Sequence, residues 1–375
     1  MRYVVSSTLL YSRLQNVERV ILSKNSIAIL SCFLFDIKEN LLEVTASDSE
    51  TVMKTSLELV ESSQDCKFAI DAKKLMDILK EIPEQPLTLD FNPNTLQLDM
   101  NYQNGHFTVQ AESGDEFPLP RPAEGESQEV KLDIATFSKG LAKTIIATAN
   151  NEARKVMNGV HFDITPDDVS LVASDGHKLV RYLIKADTAG VTTRFTMPQK
   201  PAAILKNILD KASGEMTLRA FGTGNAVVET EFYTINCRLI EDPYPNYKGV
   251  IPQNNANVAV LDRASLISAM RRVMVVSDKT TTLIKFLFEA NKVTLTSEDI
   301  NYAQSAEEQL VCQYDGQPLK MGFKGSDLLE LIGNLQSQEM TLKLADPSKA
   351  GLILPSEQDE GTDLLMLLMP LLINN

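Results

Sequence analysis

The sequence predicts an α+β protein built from three tandem copies of one unit, each with two helices packed on antiparallel sheets. Three observations support this fold class. Apolar residues recur at helical spacing in six segments, the stretches between them alternate as half-buried strands do, and both patterns repeat at nearly one period. A chain of 375 residues has room for three units of the common domain size of about 100–150 residues.

Five landmarks recur in the same order, at intervals of 124 to 129 residues. They are an early helix (Leu10/Leu14, Phe137/Leu141, Leu266/Met270), an acidic residue after an apolar run (Asp48, Asp175, Asp299), a second helix (Leu75/Ile78/Ile82, Ala202/Leu205/Leu209, Leu328/Leu331/Leu335), the strand after it (87–89, 216–218, 340–342) and a proline (Pro118, Pro245, Pro370). The alternative is a chain in which helices and strands alternate without duplication. Five ordered matches favour duplication.

Each copy is predicted to run helix, strands, helix, strands. The helical segments span residues 8–20, 71–82, 136–148, 199–211, 264–276 and 324–335. Strand-like alternation is clearest in LQLDMNY (96–102), HFTVQA (106–111) and AVVETEFYTINCRLI (226–240).

Two proline-rich stretches separate the copies. Residues 117–129 (FPLPRPAEGESQE) and 242–252 (DPYPNYKGVIP) combine Pro, Gly and charged residues, as extended linkers do. We therefore predict domains at 1–127, 128–253 and 254–375.

Composition argues against several classes of protein. The N-terminal MRYVVSSTLL lacks a signal-peptide pattern, and the apolar run at 364–373 is half the length of a membrane-spanning helix. The four cysteines show no metal-type spacing, so we expect free thiols, no metal and no cofactor; they are Cys32, Cys66, Cys237 and Cys312. These features predict a soluble cytoplasmic protein.

Charge is divided unevenly along the chain. The six helical segments contain thirteen basic and seven acidic residues, a net charge of +6, whereas the whole chain carries −14 and the remainder therefore −20. Lys and Arg are ordinary helix formers on solvated faces, which is one explanation. Glu forms helices equally well, yet segments 136–148 and 264–276 contain no acid. A basic surface for phosphate backbones, read without base specificity, is the functional alternative.

The stretch VSLVASDGHK (169–178) places Asp175 and His177 after an apolar run, which raises the possibility of a catalytic pair, for example in a hydrolase. LLEVTASDSE (41–50) ends in the same Ala-Ser-Asp without a histidine. The motif is therefore a structural repeat first, and His177 is either a turn residue or part of a site. No nucleophile elbow accompanies it.

Together, the three copies and the segments ASDGHKL (173–179), YPNYKGVIP (244–252) and LLMPLL (367–372) make the chain resemble the bacterial sliding clamps, the beta subunits of DNA polymerase III. The resemblance runs over the full length. It implies three DNA-clamp domains per chain, half of a six-domain ring, and a head-to-tail homodimer that encircles duplex DNA. It implies no catalysis and a bacterial, nucleoid-associated location.

The resemblance also implies a pocket that receives short hydrophobic peptides from the replicative polymerase, the clamp loader and repair polymerases. Matching residue by residue, the pocket would comprise Arg154, Met157, Ser174, Gly176, His177, Leu179, Pro245, Val250, Leu367, Met369, Pro370 and Leu371. Gly249 and Leu372 stand where a basic residue is often found, so the peptide preference is expected to be more apolar.

Residues expected to contact DNA are Lys24, Lys74, Lys139, Lys143, Asn151, Lys155, Lys200, Lys206, Arg271 and Lys279. Lys24, Asn151 and Lys155 follow from the resemblance, and the others follow from helix placement and charge. The dimer interface is expected at Phe107, Val109, Val275 and Val276, which are equally suited to be core residues. A scaffold or membrane-surface protein built from three repeats is a further alternative, although the clamp interpretation implies no membrane partner.

Overall fold

A computed structural model of the protein describes residues 1–119 and 125–373. Part of the predicted linker 117–129, namely residues 120–124, lies outside the described residues. The described chain contains three successive copies of a strand–helix–strands–helix–strands unit. The fold is α+β with antiparallel sheets, as predicted.

In its described residues, the first copy contains helices α1 and α2 and ten strands. Its helices are α1 (Ser7–Val17) and α2 (Ala72–Glu81), and its strands are β1 (Arg2–Ser6), β2 (Cys32–Lys38), β3 (Leu41–Ser47), β4 (Thr51–Glu58), β5 (Glu61–Ser62), β6 (Cys66–Asp71), β7 (Pro86–Asn92), β8 (Gln97–Tyr102), β9 (Gly105–Gln110) and β10 (Glu112–Ser113).

The second and third copies repeat this order with eight described strands each. The second has α3 (Ile134–Thr144), α4 (Gln199–Leu209), β11 (Ser127–Asp133), β12 (Gly159–Ile164), β13 (Asp168–Ser174), β14 (Lys178–Lys185), β15 (Thr193–Pro198), β16 (Glu215–Phe221), β17 (Asn225–Glu229) and β18 (Tyr233–Arg238). The third has α5 (Arg263–Val273), α6 (Gly325–Gly333), β19 (Asn257–Asp262), β20 (Leu283–Glu289), β21 (Lys292–Asp299), β22 (Gln304–Val311), β23 (Leu319–Lys324), β24 (Glu339–Leu344), β25 (Gly351–Pro355) and β26 (Thr362–Leu368).

All six predicted helical segments are confirmed. Side chains just before four of the helices accept the first free backbone N–H groups, as Ser6 does for α1, Asp71 for α2, Asp133 for α3 and Asp262 for α5. The first helix of each copy ends earlier than predicted, because the chain tightens into a short 3₁₀ turn at Glu18–Val20, Ile145–Ala147 and Met274–Val276.

The alternating run at 226–240 is a hairpin and not one strand. Thr230 directly follows β17. Its N–H donates to the Tyr233 carbonyl at 2.9 Å, and its Oγ1 accepts from the Tyr233 N–H at 3.1 Å. The alternation continues through the turn, so periodicity alone did not reveal the break.

The chain packs into two compact units. The first comprises the described residues of Met1–Ser138 with Lys200–Leu239, and it holds a five-stranded sheet (β5-β1-β7-β8-β9) and a nine-stranded sheet (β10-β6-β2-β3-β4-β18-β17-β16-β11). The second comprises Lys139–Gln199 and the described residues from 240 onward, with an eight-stranded sheet (β15-β12-β13-β14-β26-β25-β24-β19) and a four-stranded sheet (β22-β21-β20-β23).

Successive copies share sheets within these units. In the first unit β4 of copy one pairs with β18 of copy two, and in the second unit β14 of copy two pairs with β26 of copy three. The helices bury their apolar faces, as Leu10, Leu14 and Val17 of α1 do at 0% exposure. All four cysteines are free thiols. Within residues 1–119 and 125–373, no helix is long and apolar enough to cross a membrane.

Candidate functional site

The repeated Ala-Ser-Asp forms the same turn in the first two copies. In the first, the Ser47 hydroxyl accepts the Ser49 N–H at 3.1 Å, and Asp48 Oδ1 accepts the N–H groups of Glu50 and Thr51 at 3.0 and 2.7 Å. The motif therefore recurs because it satisfies the backbone of a strand-to-strand turn.

In the second copy, the Ser174 hydroxyl accepts the Gly176 N–H at 3.1 Å, and Asp175 Oδ1 accepts from the N–H groups of His177 and Lys178 at 2.8 and 2.9 Å. The Asp175 carboxylate thus caps the backbone N–H groups of His177 and of the residue after it. Asp299 caps two N–H groups in the third copy in the same way. This geometry is that of a turn and offers no acid–base pair to a substrate.

Three separate segments meet at the second turn. Gly176 has a φ of +93°, and a Cβ at that position would lie 3.1 Å from Arg154 Nη1. The His177 carbonyl accepts the Met369 N–H at 2.8 Å. The turn therefore brings residue 154 and the C-terminal strand to one place, as the predicted pocket requires.

A buried apolar layer lies beneath this turn. Leu179 and Leu367 are direct partners across β14 and β26, and they are 2% and 4% exposed. They belong to a cluster whose other members are Val172, Tyr247, Ala350 and Leu352, with Tyr244, Ile251 and Leu365 packed against it. We call these nine residues the pocket floor.

The remaining predicted pocket residues are more accessible than the floor. Arg154, Gly176, His177, Pro245, Val250 and Met369 are exposed, and Met157, Ser174, Pro370 and Leu371 are half-buried. Val250 and Met369 are 58% and 41% exposed, which is unusual for large apolar side chains. We call the exposed apolar residues Pro245, Val250 and Met369 the pocket rim. An apolar floor with such a rim suits a hydrophobic peptide anchor, and Met adapts to different partners.

Sequence reasoning missed four residues at this site. Tyr244 and Tyr247 lie in the quoted segment YPNYKGVIP but were not singled out, although two aromatics beside a proline were a usable signal. His161 and Asp163 occupy alternate positions of β12 and belong to no recognisable motif. Nevertheless, the His161 ring stacks on Tyr244 with centroids 4.4 Å apart, and Asp163 Oδ2 accepts the Tyr247 hydroxyl at 2.8 Å.

The two β12 residues have shifted pKa values. Burial alone would raise the pKa of Asp163, but hydrogen bonds from Lys248, Arg194 and Tyr247 outweigh it and lower the pKa to about 2. Burial lowers the pKa of His161 to about 4, so its imidazole is neutral at physiological pH. The carboxylate is therefore charged and the imidazole neutral where the protein functions.

In the first unit, Lys24 and Lys74 are exposed and Lys206 is half-buried. Lys200 Nζ donates to Asp48 Oδ2 at 2.5 Å and to the Val20 carbonyl at 2.6 Å, and the Asp48 side chain is 7% exposed. The charge of Lys200 is thus already compensated, whereas Lys24 and Lys74 present theirs to solvent.

In the second unit, the exposed members of the predicted DNA set are Lys139, Asn151, Lys155, Arg271 and Lys279. Lys139 Nζ lies 3.4 Å from Asp359 Oδ2. Lys143 is half-buried and donates to the Asn334 carbonyl, and burial lowers the pKa of its ammonium group. Lys139 and Lys143 are therefore already bonded within the chain. By contrast, Lys155, Arg271 and Lys279 are exposed, and exposed cations are suited to weak phosphate contacts.

The predicted interface residues differ in exposure. Phe107 is half-buried on β9 and stacks on Tyr102 with centroids 5.8 Å apart, whereas Val109 is only 6% exposed and is a core residue of the chain. Val275 is 82% exposed directly after α5, and Val276 is half-buried.

Comparison with known proteins places the whole chain in one family. The sequence models of the DNA polymerase III beta subunit match in order: the N-terminal domain at residues 1–120, the central domain at 131–246 and the C-terminal domain at 248–370. The beta sliding clamp of Pseudomonas putida is 23% identical over 367 residues, covering 98% of this chain and 99% of that protein. The beta sliding clamp of Synechococcus elongatus is 27% identical over 355 residues, covering 92% of each chain.

Solved structures agree in fold. The DnaN sliding clamp of Bartonella birtlesii, in a structure bound to griselimycin, is 25% identical, covers 100% of either chain and superposes with a TM-score of 0.92. The beta subunit of Pseudomonas aeruginosa is 22% identical with a TM-score of 0.93 and the same coverage. Three matched domains in their native order, together with this likeness over the full length, show that the chain belongs to the DNA polymerase III beta subunit family, the bacterial sliding clamps.

Proposed function

We propose that the protein encircles duplex DNA as a head-to-tail dimer and tethers the replicative polymerase and other DNA-processing proteins without catalysing a reaction itself. The observation that carries this proposal is the match with sliding clamps over the full length of the chain, in sequence and in fold. The domains of this clamp are 1–127, 128–253 and 254–375, divided at the proline-rich stretches. The protein acts in the bacterial cytoplasm at the nucleoid.

The α-helices, together with Lys24, Lys155 and Lys279 outside them, supply the DNA-facing charge. The net charge of +6 in the helical segments, within a chain of −14, concentrates cations on one class of element. Such a surface contacts phosphates without reading bases, which allows sliding, while the acidic remainder repels stray nucleic acid. The exposed residues Lys24, Lys74, Lys155, Arg271 and Lys279 contribute most, and Lys139, Lys143, Asn151, Lys200 and Lys206 contribute less because they are exposed less or bonded within the chain.

The dimer joins two different sheet edges. β9 is an edge strand of the five-stranded sheet in the first unit, and β22 is an edge strand of the four-stranded sheet in the second. An open edge presents unpaired backbone groups, and pairing β9 of one copy with β22 of the other would satisfy both. Phe107 and Val275 flank this contact. The interface is heterologous and closes after two copies.

The pocket floor and its rim bind the partner proteins. Short hydrophobic peptides from the polymerase, the clamp loader and repair polymerases would bury apolar side chains against Val250, Met369 and the floor. Because each chain has one such site, these partners compete for it.

Retention on circular DNA tests the proposal. The protein is placed on a nicked circle with a clamp loader and ATP, the unbound protein is removed, and the circle is then cut. We expect retention on the intact circle and release after cutting, because topology and not affinity holds the ring. Equal retention on cut and circular DNA at moderate salt would contradict sliding.

Val275→Glu provides the matched control. The side chain is 82% exposed, so the charge should leave the folded chain intact while it opposes ring closure. We expect this variant to be lost from intact circles while it still binds hydrophobic peptides.

A further inference from the structure

Side chains at alternate positions of β12 hold the segment 244–251, which carries part of the pocket rim. Asp163 is 2% exposed and accepts three hydrogen bonds. Its Oδ1 accepts from Arg194 Nε at 2.7 Å, and its Oδ2 accepts from the Tyr247 hydroxyl at 2.8 Å and from Lys248 Nζ at 2.9 Å. Two of these three donors belong to the segment.

Tyr247 connects this carboxylate to the pocket. Its ring is 6% exposed and packs in the pocket floor with Leu179 and Leu367, while its hydroxyl points to Asp163. A buried hydroxyl without a partner is costly, so the bond to Asp163 determines where this ring can lie.

His161 supports the other end of the segment. Its ring stacks on Tyr244 at an interplanar angle of 11°, and its Nδ1 lies 3.1 Å from the Thr196 hydroxyl, which fixes the ring. Tyr244 and Tyr247 flank Pro245, so β12 holds the segment on both sides of a predicted rim residue.

We propose that Asp163 is a positioning residue for partner peptides. It holds the segment 244–251 through Tyr247 and Lys248, so that Pro245 and Val250 are already in place at the rim before a peptide binds. This inference rests on the proposed use of the pocket. A rim that is ordered in advance spares the peptide the entropic cost of ordering it, which raises affinity without any direct contact to Asp163.

The test compares the two oxygens of one carboxylate. Asp163→Asn removes the charge. Tyr247→Phe removes one donor to Oδ2, together with the hydrogen bond between the Tyr247 hydroxyl and Ser170. Arg194→Gln removes only the donor to Oδ1. Arg194 lies on β15 and its side chain is 65% exposed, so it is the matched control that leaves the segment attached.

Two measurements are made on the full chain at a temperature where every variant is folded. The first is the affinity for a synthetic pentapeptide of Leu, Phe and polar residues, chosen beforehand as the tightest binder to the unmodified protein. The second is hydrogen exchange of the backbone amides from 246 to 251 in the free protein. A role confined to global stability would change neither quantity under these conditions.

We expect peptide affinity to fall about tenfold in Asp163→Asn and about threefold in Tyr247→Phe, with faster exchange in the segment, and less than twofold in Arg194→Gln. Should Asp163→Asn fail to fold, Tyr247→Phe decides. Unchanged affinity and exchange in Tyr247→Phe, or equal losses in Arg194→Gln, would overturn the positioning role while leaving the pocket intact. If the unmodified chain binds no hydrophobic peptide, the proposed function of the pocket fails as well.

Discussion

The turns at Asp48 and Asp175 occupy equivalent places in two copies, yet only one opens onto a candidate site. In each turn a serine hydroxyl and one aspartate oxygen cap the same backbone N–H groups. In the first, the second oxygen of Asp48 binds Lys200 and the carboxylate is 7% exposed. In the second, His177 is exposed and its carbonyl joins Met369. Duplication thus preserved the backbone capping while the side chains around it diverged.

The same divergence appears beneath the turns. Leu34 and Phe117 pack in one apolar cluster of the first unit. The residues 127 positions later are His161 and Tyr244, which stack in the second unit. Two members of an apolar cluster in one copy thus correspond to a stacked His–Tyr pair in the other, and only the latter lies beside the candidate pocket.

The largest expected effect comes from Lys200→Met, which breaks the feature found only at the first turn. Because Asp48 would remain buried without its cation, we expect the free energy of unfolding to fall by about 3 kcal/mol. Urea denaturation measures this change in the free energy of unfolding. Lys206→Met on the same helix is the control, with an expected change within about 0.5 kcal/mol. Equal changes in the two variants would mean that the ion pair does not distinguish the turns.

Replacing His161 by Leu should make the second copy resemble the first. In the folded protein burial lowers the pKa of His161 to about 4, whereas the unfolded chain binds a proton near the ordinary value of about 6.5. The unfolded state therefore binds more protons as pH falls from about 6.5 to about 4, and stability falls over that window by about 2 to 3 kcal/mol. The melting temperature should therefore fall less steeply with decreasing pH in His161→Leu than in the unmodified protein. Identical slopes in the two proteins would refute the lowered pKa of His161.

Gly176→Ser gives the second turn the residue type that stands at position 49 in the first. With φ at +93°, a side chain costs about 1–2 kcal/mol, and the new Cβ would lie 3.1 Å from Arg154 Nη1. We expect lower stability in chemical denaturation and weaker binding of hydrophobic peptides in a fluorescence titration. A variant with unchanged peptide affinity would argue against residue 176 as part of the site.

The smallest effect is expected from the reciprocal change, Ser49→Gly. Ser49 adopts a φ of 79°, which glycine tolerates without strain. Relief of strain is partly offset by the greater freedom of glycine in the unfolded chain, so we expect a gain of about 0.5 kcal/mol by differential scanning calorimetry. A loss of stability instead would show that the serine side chain contributes a contact that outweighs its strain.

Much of the fold was predictable from the sequence because period and order are local signals. Landmarks such as Leu75/Ile78/Ile82 marked helices, and their spacing revealed the duplication before any contact was known. The hairpin within 226–240 was missed because Thr230 and Tyr233 close it while the alternation continues. The sharing of sheets between copies has no local signal, since it depends on which edges meet.

The site was predictable only in part. Leu179, Leu367 and the turn at Gly176 were expected from the resemblance, and the structure brings them together. Asp163 and His161 were not found, because a buried carboxylate on an ordinary strand looks like any other residue until its partners are known. The alternative that Asp175 and His177 catalyse hydrolysis is not supported, since the family is the non-catalytic processivity subunit of the polymerase.

The pairing of β14 with β26 extends over seven residue pairs, from Lys178 with Leu368 to Ile184 with Thr362. Covalent continuity is therefore not what keeps the second and third copies together. After a protease cut within 242–252, the backbone hydrogen bonds between β14 and β26 would still hold the two fragments together. The fragments should therefore elute as one species in size-exclusion chromatography until a denaturant separates them.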